Sequence, residues 1–402
     1  MYDLIVIGGG AAGYFGAIRA AELKPQARIL ILEKSARVLD KVRISGGGRC
    51  NVTHACFDPK ELSKHYPRGE RELLGPFHRF MCGDMMAWLD ERGVETAIED
   101  DGRVFPASNL SSSIIDCFER EVQQKKIEIQ RQVGVRSLSL KKEVWELATD
   151  QQTYTSKNVL VAAGSSSSVW KMLSNLSIPI VAPVPSLFTF KINSPVLSGL
   201  MGLSVQEAEV HISQTNLEEN GPTLITHWGL SGPAVLRLSA WGANDLAKCN
   251  YDFDINVNWT ATPSDQVQEW IAERRKIDNK KTPSNTVFPD IPKRLWERFT
   301  DLAGTKGKNW SDLSKSQIQT LHDFICNCQL NVKGKTTFKE EFVTAGGVDL
   351  KAVDFRTMES KDHQGLFFAG EVLNVDAITG GFNFQAAWTT SWIAAESWAE
   401  RL

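Results

Sequence analysis

Gly8, Gly10 and Gly13 fall in the order G-x-G-x-x-G, directly after the apolar run Leu4-Ile5-Val6-Ile7. The three positions have separate tasks. Gly8 allows a tight turn, Gly10 lets backbone approach a pyrophosphate, and Gly13 lets a helix pack closely on its strand. The pyrophosphate would lie on free N–H groups at that helix N-terminus, where the helix dipole favours negative charge. Glu33 stands about 20 residues further on, where a carboxylate accepts hydrogen bonds from a ribose hydroxyl. A second dense stretch runs from Lys41 to Cys56 and contains Ser45-Gly46-Gly47-Gly48-Arg49-Cys50-Asn51. Its three successive glycines let backbone pass close to a flat cofactor. Arg49 and Asn51 would then set donors near its ring or near a substrate oxygen.

The elements that must position these residues are legible around them. Leu4–Ile7 reads as a buried parallel strand, Ala17–Leu23 as a helix, and Arg28–Glu33 as a second strand ending in an acid. That βαβ unit suits either FAD or a nicotinamide, and three distant segments favour FAD. Asn158–Gly164 is an apolar strand stopping at a small-small-Gly turn, and Gly365–Glu371 is another, ending in Gly-Glu. Thr379-Gly380-Gly381-Phe382-Asn383 precedes a helix expected from Phe384 to about Glu400. A helix N-terminus there would stabilise the negative charge of a reduced flavin, while Trp388, Trp392 and Ile393 pack the same helix on the sheet.

A flavin–dithiol mechanism is the rival for the 41–56 stretch, with Cys50 and Cys56 as the redox pair. Such reductases separate their cysteines by four residues, whereas five lie between these two. No second G-x-G-x-x-G occurs between 150 and 330, and the C-terminal His-Pro-Thr of those enzymes is absent. Cys50 then reads as a small residue packed near the flavin.

The chain resembles the bacterial NAD(P)/FAD-dependent flavoproteins labelled aminoacetone-oxidase-like and 3-dehydro-bile-acid-reductase-like. The resemblance rests on Ile7–Gly13, Ser45–Thr53, Asp101–Pro106, Thr226-His227-Trp228-Gly229-Leu230-Ser231-Gly232-Pro233 and Gly370–Asn383, in family order across essentially the whole chain. Asp40 departs from it, standing where members often have Gly. It implies an α/β fold: a two-dinucleotide-type, Rossmann-like FAD domain with an inserted β-barrel-like domain and a helical insert within that. The corresponding boundaries are 1–188 with 346–402, then 189–262 with 329–345, then 263–328. The cofactor-binding positions are Gly8, Gly10, Ala11, Ala12 and Gly13; Glu33 and Lys34; Ser45, Gly46, Gly47, Gly48, Arg49, Cys50 and Asn51; and Val135, Ala163 and Gly164. Gly370, Glu371, Asp376, Gly380, Gly381, Phe382 and Asn383 complete the set, with Glu371 on the ribityl chain.

The middle of the chain agrees on independent grounds. Phe188–Ile192 and Tyr251–Val257 are short β-rich runs among Gly, Pro and Asn, the texture of antiparallel sheet. Thr262–Asp265 reads as a capping box with Pro at the first helical position, and Ser314–Gln317 as a second box. The polar, Lys-rich stretch between them reads as a solvated helical surface rather than a nucleic-acid patch.

Whole-chain totals exclude several classes. Lys and Arg number 45 against 48 Asp and Glu, a net charge of −3, which offers no general attraction to nucleic acid or anionic membrane. Seven cysteines at 50, 56, 82, 117, 249, 326 and 328 fit neither a disulfide framework nor a four-ligand zinc site. The opening residues lack the basic start of a signal peptide, and no apolar run is long enough to span a membrane. These features point to a cytoplasmic protein acting on a small molecule; no residue pattern specifies an oligomeric state. Arg49 and His227 are the catalytic candidates, Arg103 reads as a surface turn residue, and Asp100 and Asp101 diverge as adjacent side chains. The expected chemistry is hydride transfer through the flavin from NAD(P)H or an organic donor to an activated C=C bond or to oxygen. A non-catalytic FAD-binding protein is the other class.

Overall fold

The computed structural model describes residues 1–336 and 343–401. The chain forms two compact units, Met1–Ser186 with Lys339–Leu402, and Leu187–Phe338. The expected return segment 329–345 includes 337–342, which lie outside the described residues.

The first unit is built on a seven-stranded sheet. Its order is Val353–Asp354, Glu359–Ser360, Leu366–Phe368, Val159–Val161, Leu4–Ile7, Ile29–Glu33, Glu128–Arg131. Leu4–Ile7 pairs in parallel with Ile29–Glu33 on one side and Val159–Val161 on the other, and Leu366–Phe368 extends the parallel run. All four residues of Leu4–Ile7 are buried, as a strand covered on both faces must be. The helix Ala11–Leu23 follows, and the C-terminal helix Phe382–Ala399 lies against it. Gly16 makes that approach possible: a Cβ there would sit 2.8 Å from Leu160 and 3.2 Å from Ser391. Phe15 lies 5.5 Å from Trp388 and 5.9 Å from Trp392, so the C-terminal helix carries its aromatic face into this core. The helix starts at Phe382, two residues before its expected start, because Gly381 supplies the left-handed N-cap.

A small sheet of Thr53–His54, Arg103–Pro106 and Thr96–Ile98 flanks the unit. Arg103, expected in a turn, opens a strand instead. The turn is Glu99–Gly102, and Arg103 reaches back over it to Glu99 (2.8 Å) and Asp101 (2.7 Å).

The second unit is a closed barrel of six strands. Thr189–Ile192, Gly229–Ser231, Glu218–Ile225, Ser204–Ile212, Asp252–Asn258 and Cys328–Thr336 pair in that order and return to the first. Phe190, Val210, Ile255 and Val332 are fully buried on alternating positions, which fills the core. Helices Ser264–Ile277, Lys293–Leu302 and Lys315–Cys326 lie between its last two strands. The box at Ser314 forms as expected, with Gln317 N donating to Ser314 Oγ (3.2 Å) and Ser314 N to Gln317 Oε1 (3.1 Å). The box at Thr262–Asp265 does not. Pro263 is itself the extended N-cap, no side chain caps the helix, and Ser264 turns its hydroxyl to His322 Nε2 (3.0 Å).

Candidate functional site

The turn after the first strand is shaped by two crowded glycines and one open one. A Cβ at Gly8 (φ +109°) would lie 2.4 Å from Ala162 O, and one at Gly13 would lie 1.9 Å from Gly8 O. Packing alone demands these two. At Gly10 a Cβ would meet nothing within 4 Å, and Gly10 is the N-cap of a helix that no side chain caps. Its bare backbone therefore borders open space beside uncapped N–H groups, as a bound phosphate requires.

Beside this turn lies a cavity of about 470 Å³, lined by Gly8, Glu33, Lys34, Val135, Ala163 and Ser166 among others. That volume is in the range of small-molecule sites. Five residues read from the sequence as cofactor contacts thus share one cavity. Glu33 is held in it by Gly9 N and Ser35 N, each donating at 2.7 Å to one of its oxygens. A carboxylate oxygen keeps a further lone pair after one such bond, so a ribose hydroxyl can still be accepted.

At the glycine run, Asp40–Gly48 begins helical and then unwinds. Ser45 is extended (ψ 149°), and Gly46, Gly47, Gly48 and Cys50 take φ of +57°, +69°, +87° and +63°. A Cβ at Gly47 or Gly48 would meet nothing within 4 Å. This is a second stretch of bare backbone facing open space.

The donors expected from this run are largely committed elsewhere. Arg49 stacks on Phe105 (3.9 Å from the ring centre), pairs with Glu99 (2.6 Å) and reaches Gly46 O (3.4 Å). Asn51, in the amide orientation that satisfies its neighbours, donates to Thr53 O (3.0 Å) and Val104 O (3.3 Å) and accepts from Gly381 N (3.0 Å). Its side chain is a brace, not the free donor expected. Cys50 is fully buried, and burial pushes its thiol up to about 12.

The brace at Asn51 is one of four. Thr53 Oγ1 donates to Gln385 (2.6 Å), Trp388 Nε1 to Val52 O (2.9 Å), and His54 Nδ1 to Gly380 O (3.1 Å). Tyr66 adds a bond from below, its hydroxyl donating to Phe382 O at 2.6 Å. Asn383 folds over the preceding loop, donating to Ala377 O (3.1 Å) and accepting from Ala377 N (3.0 Å). The N-terminus of the C-terminal helix is thereby fixed against residues 51–54. A Cβ at Gly381 would strike Thr53 O at 2.5 Å.

Gly370 and Glu371 follow the Leu366–Phe368 strand. Gly370 N donates to Thr390 Oγ1 (3.0 Å), and its missing Cβ makes room for Ala12. Glu371 pairs with Lys41, accepts from Thr344 N (3.2 Å), and lies 3.6 Å from where a Cβ of Gly164 would be. Asp376, expected among the cofactor contacts, is instead paired with Arg68. Its carboxylate is fully buried, where desolvation raises its pKa and the paired Arg68 guanidinium opposes that rise.

His54, His65, Lys41, Tyr66 and Arg68 were not singled out by the sequence reading. His54 lies six residues after Gly48, inside the dense 41–56 stretch, which was the available signal; the others gain meaning only from partners some 300 residues away. His227 lies in the second unit, exposed on the turn between Glu218–Ile225 and Gly229–Ser231. All seven cysteines are free thiols, and the described residues hold no cluster able to bind a metal. No described helix is long and apolar enough to cross a membrane.

A mostly parallel sheet opening on a glycine turn, with a C-terminal helix returning to the same edge, defines a Rossmann-like domain of the two-dinucleotide FAD type. The closed barrel and its helices are the insert. The chain belongs to the family described as HI0933-like protein Rossmann domain, whose model matches residues 2–397. It is 26% identical to the ribosomal RNA dihydrouridine synthase of Escherichia coli K12, over 98% of this chain and 97% of that protein. It is 27% identical to the 3-dehydro-bile acid delta(4,6)-reductase of Clostridium scindens, over 98% of both. Among solved structures, 3-ketosteroid delta1-dehydrogenase from Sterolibacterium denitrificans matches at a TM-score of 0.53, with 10% identity and full coverage of both chains. That last likeness concerns the fold.

Proposed function

We propose that this chain is an FAD-dependent oxidoreductase that reduces a C=C bond conjugated to a carbonyl in a small molecule, with NAD(P)H as its reductant. The observation that carries the reading is the pair of open backbone cradles, at Gly10 and at Gly47–Gly48, together with a cavity lined by Gly8 and Glu33. A dinucleotide carrying a flat ring system fits that set of features. The N–H groups after Gly10 would take the pyrophosphate and Glu33 a ribose hydroxyl. Glu371, its charge balanced by Lys41, would accept from the ribityl chain. Gly47, Gly48 and Gly380–Phe382 would border the ring. When bound, FAD supplies the two-electron hydride carrier that no side chain can provide.

The choice of acceptor rests on the relatives' names. Making dihydrouridine adds two hydrogens across a uracil C=C bond beside a carbonyl, and a delta(4,6)-reductase acts on C=C bonds of a 3-oxo bile acid. Both acceptors are conjugated carbonyl compounds. We favour a small molecule, because a net charge of −3 gives no general attraction to a polyanion. An rRNA uridine is the second reading, supported by the 26% likeness over nearly the whole chain. The dithiol alternative loses its support: a buried thiol pushed to about 12 forms almost no thiolate, which is the reactive species.

Anaerobic titration of the yellow protein with NADH and NADPH tests the reductant. Bleaching of the visible flavin band followed by reoxidation with a 4-en-3-one steroid supports the proposal. Reoxidation by a uridine-containing rRNA fragment and not by the steroid supports the second reading. Reoxidation only by oxygen, with peroxide formed, makes it an oxidase. A flavin inert to every donor and acceptor makes it a binding protein, and a colourless protein that takes up no FAD removes the cofactor.

A further inference from the structure

Three rings meet where the C-terminal helix begins. Phe382 lies 4.5 Å from His54 and 4.2 Å from His65, with interplanar angles of 25° and 24°. The two imidazoles are themselves 6.1 Å apart. These distances make a near right angle at Phe382, so the histidines are neighbours and not the two faces of a sandwich. His54 is further fixed by donating from Nδ1 to Gly380 O, which leaves Nε2 as the lone-pair nitrogen. Gly102 accommodates the ring, since a Cβ there would lie 2.6 Å from His54 Nε2. His65 is held by its backbone, its carbonyl accepting from Ile378 N (3.1 Å) in the loop that leads to Gly380.

We propose that His54 and His65 are positioning residues that hold Gly380 and Phe382 in place and take up one proton as negative charge develops beside this helix N-terminus. The inference rests on the FAD reading above. Two electrons and one proton, the equivalent of a hydride, leave the cofactor with one added negative charge. The balancing proton comes from solvent and rides on the imidazole pair, most directly on His54 Nε2. Two imidazoles this close accept one proton far more readily than two, so the pair takes a single charge.

The surroundings leave that proton room to arrive. Burial holds both histidines below the ordinary imidazole value, and His54 lowers His65 further, so both are neutral near pH 7 before reduction. The charged groups facing them are Asp101 and Arg103 at His54 and Glu61 at His65. Asp101 and Arg103 pair with each other, at 2.7 Å. Neither supplies an uncompensated countercharge, so a new negative charge nearby would act on His54 with little competition.

The test is the pH dependence of the flavin midpoint potential from pH 6 to 8, in holoprotein reduced by dithionite. The wild type, H54Q, H65Q and the double variant are compared, with the visible band as readout. The expected wild-type result is two protons per two electrons over part of this range. H54Q is expected to fall to one, with a more negative potential and FAD still bound. H65Q is expected to keep two protons with the pH window displaced, since it removes the repelling neighbour. A yellow H54Q and a yellow double variant that both match the wild-type slope and potential would overturn the proposal. A colourless wild type would overturn the FAD reading itself, which is a distinct result.

Discussion

The cradle at Gly10 can be filled without breaking the fold, and this makes Gly10→Val the sharpest perturbation available. Gly10 has φ −89° and ψ −167°, a backbone that any L-residue adopts, and open space where its Cβ would point. The expected folding cost is about 0.5–1 kcal/mol, the preference of a helix N-cap for Gly over a β-branched residue. The isopropyl group would occupy the ground a pyrophosphate needs and displace it from two or so backbone N–H groups. Hydrogen bonds to a charged group contribute about 1.5–3 kcal/mol each, so about 3–6 kcal/mol of affinity is lost. At 1.4 kcal/mol per decade, FAD binds roughly two to four decades more weakly. Gly13→Ala is the control with the opposite profile. Its Cβ would start 1.9 Å from Gly8 O, so backbone must move, at about 1–3 kcal/mol or more of stability. Apoprotein titrated with FAD by fluorescence, together with thermal melts of the apo forms, separates the two. Gly10→Val should melt near wild type and fail to bind; Gly13→Ala should melt lower by several degrees. A Gly10→Val protein that binds FAD as tightly as wild type would refute the assignment of this turn to the pyrophosphate.

Tyr66→Phe removes one of two donors to the buried Phe382 carbonyl, which keeps its helical bond from Ala386 N, and should cost about 0.5–1.5 kcal/mol in urea unfolding, without changing FAD stoichiometry. Arg68→Met should cost about 3–5 kcal/mol because the fully buried Asp376 loses its countercharge, and adding Asp376→Leu should recover much of that loss. In native protein at pH 8, an aromatic disulfide reagent should label exposed Cys249 quickly and buried Cys50 only after unfolding; rapid labelling of Cys50 would revive the dithiol mechanism. The apoprotein should lose stability as pH falls below about 6.5, because His54 and His65 bind a proton more readily unfolded than folded. H54Q/H65Q should show less of that loss in melts between pH 7.5 and 5.5.

What could be read from the sequence was local. Strand, glycine turn, helix and acid lie within the first 33 residues, and each has a reason confined to its neighbours, so the Rossmann-like class followed. The barrel texture and the Ser314 box were legible for the same reason. The Thr262 box was misread because a tertiary partner, His322, took the Ser264 hydroxyl. Arg49 and Asn51 were read as free donors because residue type shows capacity and not occupancy. Their actual partners, Glu99 and Phe105 for one and Gly381 for the other, come from separate elements. The His54–Phe382–His65 cluster had no signal in spacing, since one edge of it spans 326 residues from His54 to Gly380.

The order in which the chain is made gives the two units different fates. Every described strand of the barrel comes from the continuous stretch Leu187–Phe338, so the barrel can close as soon as that stretch has left the ribosome. The sheet of the other unit must wait. Val159–Val161 has an unpaired edge until Leu366–Phe368 arrives, and residues 51–54 lack all four braces until the C-terminal helix folds down. For the synthesis of some 200 residues the nascent protein carries an open parallel edge and an unbraced 51–54 segment. Order at residues 51–54 is therefore a late event, because the two halves of this domain meet only after the barrel stretch has been made.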